Sequence, residues 1–238
     1  MDRDGPDVVA LAGGVTLWPD SWTPGDVVRW LEPLVRPERR RRLLDVIGRR
    51  LGSVTVVMDA PHDPHNASAI LRTCDALGIP EIHVIPRDEP PLIGRGVAKG
   101  SERWVSARIH ASVEDAVRRL REQGFFLVAT HPKGRMLPED LAKVPRLALI
   151  LGNEHDGVRA SLEQAADASA RIPMRGFVES LNVSVAAAVL LASATRDRPG
   201  DLAPSARERL YAEGLFLSVP RASDVLGELA QRGASAER

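Results

Sequence analysis

The sequence has one cysteine, few lysines and no long hydrophobic run. Cys74 is the single cysteine in 238 residues, which excludes an internal disulfide and any metal site built from several cysteines. No apolar stretch approaches the roughly 18 residues that a membrane-spanning helix needs. The N-terminal MDRDGPDVVALAGG is acidic, whereas a signal peptide begins with a basic region. We therefore predict a protein of a reducing cytoplasm with no membrane partner.

Several common cofactor and catalytic motifs are also absent. The glycine cluster GRGVAKG at 94–100 does not have the G-x-G-x-x-G spacing of a dinucleotide-binding loop. The sequence contains no Walker A motif, no G-x-S-x-G elbow and no H-E-x-x-H zinc motif. His62 and His65 are close in sequence, but two histidines without further ligands do not predict a metal. We predict no metal site and no Rossmann cofactor.

The charge is zero overall but unevenly distributed. Residues 1–35 hold six acids and two arginines, whereas residues 36–50 hold seven arginines and two acids. Arginine suits bidentate phosphate contacts, although a high-GC genome would produce the same bias. The stretch RPERRRRLLDVIGRR therefore predicts either a solvated helix face or a phosphate-contacting one. The apolar side of this helix would comprise Leu43, Leu44 and Ile47.

Predicted strands alternate with predicted helices between residues 53 and 196, which indicates an α/β domain. Such alternation is typical of a mostly parallel sheet with helices on both faces. We divide the chain into a leader (1–35), a basic helix (36–52), the α/β domain (53–196) and a helical extension (197–238). The predicted strands are 54–58, 81–86, 125–130, 147–151 and 171–174, and the predicted helices are 67–77, 113–123, 158–166 and 183–192.

Three polar loops follow predicted strands, where open α/β sheets bind ligands. In the first, PHNASAILRTCDALG, Asn66 is the expected N-cap of a helix. Arg72 lies among apolar residues, so it requires either a salt-bridge partner, Asp75 or Glu154, or a ligand. The second loop, LGNEHDGV at 151–158, could be a simple turn.

The third loop opens the segment IPMRGFVESLNVSVAAAVLLA, at 172–192. Its Ser180 and Asn182 are either helix caps or groups that meet a ligand at a helix N-terminus. The helix that follows is apolar nearly all round, which predicts burial on most sides.

The motifs HNASAILRTCDALG, LILGNEHDGV and IPMRGFVESLNVSVAAAVLL resemble, in order and spacing, those of the SpoU/TrmH branch of the SPOUT RNA methyltransferases. The resemblance covers about residues 36–215 and is closest to enzymes that methylate the 2′-hydroxyl of guanosine-18 in tRNA. It implies a homodimer, a deep C-terminal trefoil knot, and S-adenosyl-L-methionine bound in that knot. It also implies that the apolar helix packs across the dimer.

The resemblance further implies roles for individual residues. Arg72 matches the catalytic arginine of the family and Asn66 positions it or the substrate. A guanidinium does not lose its proton in a protein, so Arg72 would hold an RNA phosphate and orient the hydroxyl. The second side of the catalytic site would be formed by Glu154, Ser180 and Asn182. The expected cofactor-binding residues are Thr130, Gly152, Ile172, Met174, Ser180 and Leu181, and the expected RNA contacts are Arg39, Arg40, Arg41, Arg42 and Arg103.

The sequence departs from the family in its neutral charge and in its first 35 residues, which have no recognised counterpart. GSERW at 100–104 has Arg103 where lysine is common. One alternative is 2′-O-methylation of ribosomal RNA or of another tRNA position, although relatives acting on ribosomal RNA often carry a separate N-terminal RNA-binding domain. A second is a non-catalytic RNA-binding protein, against which the intact Asn66, Arg72, Glu154 and Asn182 argue.

Overall fold

The computed structural model describes two compact units. One comprises residues 1–14 and 51–199, and the other comprises residues 15–50 and 200–238. No helix in the described part of the chain is long and apolar enough to cross a membrane. The described residues are 8–10, 17–19, 22–86, 92–94, 100–153 and 155–236.

The first unit contains a six-stranded sheet in which every neighbouring pair of strands is parallel. The predicted α/β class with a mostly parallel sheet is therefore confirmed. A separate antiparallel pair joins β1 (Val8–Ala10) to β4 (Leu92–Gly94). The spatial order in the large sheet is β5 (Ser106–Ile109), β3 (Glu81–Ile85), β2 (Val54–Asp59), β7 (Leu147–Leu151), β6 (Phe126–Thr130) and β8 (Ala168–Ala170).

Helices cover both faces of this sheet, which explains why its central strands β2 and β7 are buried along their whole length. Successive residues of a strand point to opposite faces. Val56 and Met58 accordingly lie in one hydrophobic core and Val57 lies in the other. The first core also contains residues of α3 (Pro64–Ala76) and α6 (Val183–Ala194), and the second contains residues of α4 (Val113–Glu122) and α5 (Ala160–Ala165).

The segment that follows β6 runs close to the C-terminal part of this unit. His131 N donates to Ala170 O (2.9 Å), and a side chain at Gly134 would overlap the backbone of Ala170. The 3-10 helix Pro138–Lys143 packs against α6. Arg198, which follows α6, donates to the carbonyl oxygens of Leu141 (3.2 Å), Val144 and Pro145 (3.0 Å).

The second unit is helical. Its helices are α1 (Pro24–Leu31), α2 (Pro37–Ile47), α7 (Pro204–Phe216) and α8 (Ala222–Ala236). Helices α1 and α2 both pack against α7. Trp18 lies against Phe216 with ring centroids 5.9 Å apart, and Tyr211 donates to Glu32 Oε1 (2.8 Å). Trp18 thus anchors the N-terminal segment to α7 through an aromatic contact.

The structure corrects several predicted boundaries. Helix α3 begins at Pro64, so its N-cap is Asp63 and not Asn66. Proline suits the first helical position because its missing N–H would have no intrahelical partner there. The predicted strand 171–174 is wrong, since pairing ends at Ala170 and Pro173 has no N–H to donate. The edge strand β5 and the short strand Leu92–Gly94 were not predicted.

Two expectations about burial are also wrong. Leu44 is 52% exposed, so the apolar side of α2 is narrower than predicted and comprises Leu43 and Ile47. Helix α6 is not buried on most sides within one chain, because Val185 and Val189 are 48% and 41% exposed. These residues and exposed Ala192 follow each other at helical spacing and form one apolar stripe.

Candidate active site

A pocket lies at the carboxyl ends of β2 and β7. At this point the strand order reverses: the chain runs outward from β2 to β3 and β5, then returns to the other side of β2. Crevices at such reversals are the usual ligand sites of parallel sheets. The pocket is lined by Met58, Asp59, Pro61, Asn66, Ala67, Ile70, Leu151, Gly152, Asn153 and Val183.

A hydrogen bond joins the first and third motifs beside this pocket. Asn182 is the N-cap of α6, and its Oδ1 accepts from Ser184 N (2.9 Å) and Val185 N (3.4 Å). The same side chain donates from Nδ2 to Asn66 Oδ1 (3.0 Å). Because Asp63 caps α3 by accepting from His65 N (2.8 Å), the Asn66 side chain is not needed as a cap. The contact fixes the start of α6 next to the start of α3.

The second motif forms a tight turn at the pocket wall. Asn153 and Gly157 exchange backbone hydrogen bonds of 3.2 Å, and Asn153 Oδ1 accepts from His155 N (2.9 Å) and Asp156 N (2.7 Å). Gly157 has φ 70°, a conformation that favours glycine. A Cβ at Gly152 would overlap the backbone of Gly157. The backbone of Gly152 therefore packs directly on that of Gly157. Glu154, which belongs to the same turn, lies outside the described residues.

Sequence reasoning missed Asp59, the last residue of β2. Its side chain is 0% exposed, and it accepts hydrogen bonds from Arg159 N (2.7 Å) and Arg159 Nε (2.5 Å). Arg159 also donates from Nη2 to Ile85 O (3.3 Å). A carboxylate that directly follows a run of buried apolar residues was the available signal, because a buried charge requires a partner.

Arg72 lies on the exposed face of α3 and does not line the pocket. The prediction that it occupies a buried surface is wrong. With the helix starting at Pro64, Ile70, Leu71 and Cys74 take the core positions and Arg72 points outward. Arg72 and Asp75 are both described, and no ion pair joins them. A side chain presented to solvent in this way is available to a large ligand.

The predicted cofactor residues are brought together only in part. Gly152 lines the pocket, whereas Thr130 is half-buried at the end of β6. Ile172 and Met174 are half-buried in the loop 171–182, and Ser180 and Leu181 are exposed there. Thr130 and these four loop residues do not line the pocket. The loop nevertheless ends at Asn182, which contacts the pocket residue Asn66.

The predicted RNA-contacting arginines differ in how far they are engaged. Within the second unit, Arg39 donates from Nε to Ser218 Oγ (3.0 Å), and Arg40 lies 3.8 Å from Glu32 Oε1. Arg41 and Arg42 are exposed, and Arg41 pairs with Glu38 across 3.8 Å on the surface. In the first unit, Arg103 is also exposed.

Comparison with known proteins identifies the family. The model of the SpoU rRNA methylase family matches residues 53–192, which span the sheet, the pocket and all three motifs. The chain belongs to this family. The resemblance noted in the motifs is thereby confirmed, and the pocket lies where the three SpoU motifs meet.

Relatives in the SpoU family include both tRNA and ribosomal RNA enzymes. The chain is 42% identical over 167 residues to the tRNA (guanosine(18)-2′-O)-methyltransferase of Thermus thermophilus, which covers 67% of this chain and 83% of that protein. The TrmH/SpoU tRNA-modifying enzyme of A. aeolicus matches with a TM-score of 0.70 and 28% identity, over 80% of this chain and 99% of that one. The AdoMet-bound rRNA methyltransferase of Sinorhizobium meliloti matches with a TM-score of 0.56 and 32% identity, over 65% and 59%.

Proposed function

We propose that this protein transfers a methyl group from S-adenosyl-L-methionine to the ribose 2′-hydroxyl of guanosine-18 in tRNA, in the cytoplasm. The observation that carries the proposal is the hydrogen bond between Asn66 and Asn182 at a pocket walled by Gly152, which unites the three motifs. The 42% identity to a guanosine-18 enzyme supports tRNA as the substrate.

The residues of the pocket fit an adenosyl cofactor. Met58, Ile70, Leu151 and Val183 supply apolar surface, and the turn at Gly152 brings backbone groups close because it has no Cβ. Mostly apolar walls with a few polar groups are typical of small-molecule sites. When bound, S-adenosyl-L-methionine supplies a methyl group that its sulfonium activates for transfer. The loop 171–182 borders the pocket through Asn182, and its Ile172, Met174, Ser180 and Leu181 would hold the cofactor.

The side chains of the site then act on the RNA. A ribose hydroxyl is a weak nucleophile and must lose its proton as the new bond forms. Arg72 stays charged at every relevant pH, so it binds a phosphate next to the target ribose and orients the hydroxyl. Asn66, held by Asn182, sets the position of the ribose. Glu154 and Ser180 complete the other side of the site.

The exposed arginines of α2 bind the tRNA backbone. Arg41 and Arg42 are able to reach phosphates, since an exposed pair such as Arg41–Glu38 is worth little. Arg39 and Arg40 instead hold α2 to its own unit. Arg103 adds a further contact in the first unit.

A second copy of the chain covers the apolar stripe of α6. Val185, Val189 and Ala192 would leave apolar surface in water in a single chain, and a homodimer buries it. The close passage of residues 131–145 along Ala170 and Arg198 supports a trefoil knot in the same region. The homodimer and the knot are both properties that the family resemblance implies.

Mapping the methylated nucleotide tests the proposal. Unmodified tRNA and ribosomal RNA transcripts are incubated with the protein and labelled S-adenosyl-L-methionine, and the modified position is located. We expect label at the 2′-oxygen of guanosine-18 in tRNA. Label found in ribosomal RNA alone would replace this substrate with the one named for the Sinorhizobium relative. Cofactor binding without label in either RNA would point to a non-catalytic role.

A further inference from the structure

We propose that Asp59 and Arg159 are positioning residues for the cofactor: their buried ion pair fixes the exit of the turn 152–158 and so sets its backbone against the pocket. The inference rests on the proposed function for the identity of the cofactor. It concerns two residues that lie outside the three motifs by which the family resemblance was recognised.

Asp59 lines the pocket, but its side chain already holds Arg159. One carboxylate oxygen accepts from Arg159 N (2.7 Å) and the other from Arg159 Nε (2.5 Å). The side chain is 0% exposed. A charge buried in this way requires a partner, and Arg159 is that partner. Asp59 therefore acts through Arg159 and not on the substrate.

The position of Arg159 gives this contact its effect. Arg159 is the N-cap residue of α5 and directly follows the turn that carries Gly152 and Asn153. Its Nη2 also donates to Ile85 O at the end of β3 (3.3 Å). Arg159 thus ties the exit of the turn to the ends of two strands at once.

Both ends of the turn are anchored on consecutive residues of one strand. At the entrance, Leu151 of β7 pairs with Met58 of β2 in the parallel ladder. At the exit, Arg159 is bound by Asp59. Without the ion pair, the exit of the turn is held only by the burial of Val158 in the second core. Its backbone then has to be ordered when the cofactor binds, which weakens binding by the ordering cost.

The test is calorimetric titration of S-adenosyl-L-methionine into the full-length protein and its variants Asp59→Asn and Arg159→Gln. In Asp59→Asn, the side-chain oxygen is still able to accept from Arg159 N. The negative charge is lost, and the amide nitrogen, which cannot accept a hydrogen bond, faces Arg159 Nε. We expect cofactor affinity to fall on the order of 10-fold in each single variant, since ordering one segment costs about 1–2 kcal/mol. In the double variant we expect no further loss beyond the worse single variant, because the two residues form one contact.

Kinetics separate positioning from a general structural effect. At saturating cofactor, kcat should stay within about threefold of the wild-type value and KM for tRNA should not change. Fewer folded molecules would lower kcat and the apparent stoichiometry without changing cofactor affinity. Asp59→Asn is the safer variant for folding, because the guanidinium that it leaves unpaired is 22% exposed, whereas Arg159→Gln leaves a fully buried carboxylate without its partner.

Glu81→Gln is the matched control. It removes the charge from another carboxylate–arginine pair, Glu81–Arg108 (3.1 Å), at the opposite end of the sheet. Its cofactor affinity should equal that of the wild type. Unchanged affinity in both Asp59→Asn and Arg159→Gln would overturn the inference, as would a collapse of kcat at unchanged affinity. If the wild type binds the cofactor but methylates another nucleotide, the proposed substrate fails and the inference stands.

Discussion

Asn182 Nδ2 donates a 3.0 Å hydrogen bond to Asn66 Oδ1, across 116 residues of sequence. The two side chains stand at the first turns of α6 and α3, and Asn182 also accepts from the backbone of Ser184 and Val185. One side chain therefore caps a helix with its oxygen and links two motifs with its nitrogen. These two roles can be separated by mutation.

Replacing Asn182 by aspartate keeps the cap and removes the link. We expect Asn182→Asp to retain the wild-type free energy of unfolding but to lose most activity, because two oxygens then face each other at Asn66. Asn182→Ala should lose activity and also about 1 kcal/mol of stability, the usual cost of an N-cap. Denaturant unfolding and methyl-transfer rates measure both effects. Full activity in Asn182→Asp would show that the link to Asn66 has no function.

Arg72→Ala should abolish methyl transfer while leaving cofactor binding intact. Arg72 is exposed on α3 and outside the pocket lining, so its removal disturbs neither the core nor the turn at Gly152. Loss of a charge that stabilises the transition state costs on the order of 10²-fold or more in kcat. Arg72→Lys keeps the charge but not the bidentate geometry, and should be intermediate. Single-turnover rates and calorimetry measure the two properties, and retained activity in Arg72→Ala would refute the assignment.

Gly152→Ala should weaken cofactor binding because the added Cβ overlaps the backbone of Gly157 and opens the turn. Gly227→Ala is the control: it lies in α8 of the second unit, and a Cβ there meets nothing within 4 Å. Titration with S-adenosyl-L-methionine compares the two variants. Equal affinities would mean that the closed form of the turn is not the form that binds.

Neutralising Arg41 and Arg42 should weaken tRNA binding in a salt-dependent way. Removing one arginine that binds a phosphate lowers the slope of log affinity against log salt by about one. The double change to glutamine should therefore lower that slope by about two. Arg118, which is 68% exposed on α4, provides the control, and Arg118→Gln should leave the slope unchanged. An unchanged slope in the α2 variant would make this helix a merely solvated surface.

Acid should destabilise the protein through His83. This side chain is buried in β3, and its Nδ1 lies 2.8 Å from His110 Nε2. Burial is the main cause that lowers the pKa of His83, which is about 4. The negative charge of Glu81 raises this pKa, whereas His110, Arg108 and Arg119 lower it further. The unfolded chain takes up this proton near pH 6.5, whereas the folded chain does so only near pH 4. Stability is therefore present above pH 6.5 and is lost as the pH falls towards 4.

The loss associated with His83 amounts to about 3 kcal/mol at most, from roughly 1.4 kcal/mol for each pH unit between the two pKa values. His83→Asn removes the titrating group while keeping an amide near the position of Nδ1. Denaturant unfolding between pH 4 and 7 should show a shallower decline in this variant. Parallel declines in both proteins would place the acid sensitivity elsewhere.

The buried strands were predictable because β-branched runs bounded by turns leave few other options. Strand β5 was not, since only Ala107 of its four residues is buried, as suits an edge strand. The start of α3 was misplaced because Asp63 and Asn66 are both good caps, and Pro64 at the first helical position decides between them. Arg72 was misplaced for a different reason: closeness in sequence to Ile70 and Cys74 was taken for a shared face, whereas successive helical residues lie about 100° apart.

The site was predictable where its residues lie within motifs and not where they meet across the fold. Asn66, Gly152 and Asn182 were each recognisable, but the contact of Asp59 with Arg159 joins residues 100 positions apart. Such a contact depends on the order of strands in the sheet, and periodicity carries no information about that order. The exposure of the α6 stripe could not be predicted either. An apolar helix has the same sequence pattern whether its own chain or a second copy covers it.

The anchor that Arg198 forms on residues 141–145 recognises the main chain of this segment and not its side chains. Its guanidinium donates to the carbonyl oxygens of Leu141, Val144 and Pro145, groups that every amino acid supplies. Substitutions within 141–145 that preserve the backbone path leave this anchor unchanged, whereas no other side chain offers five donors in one plane at position 198. A change of side chain within this segment is thus compatible with the anchor, whereas any replacement of Arg198 removes it.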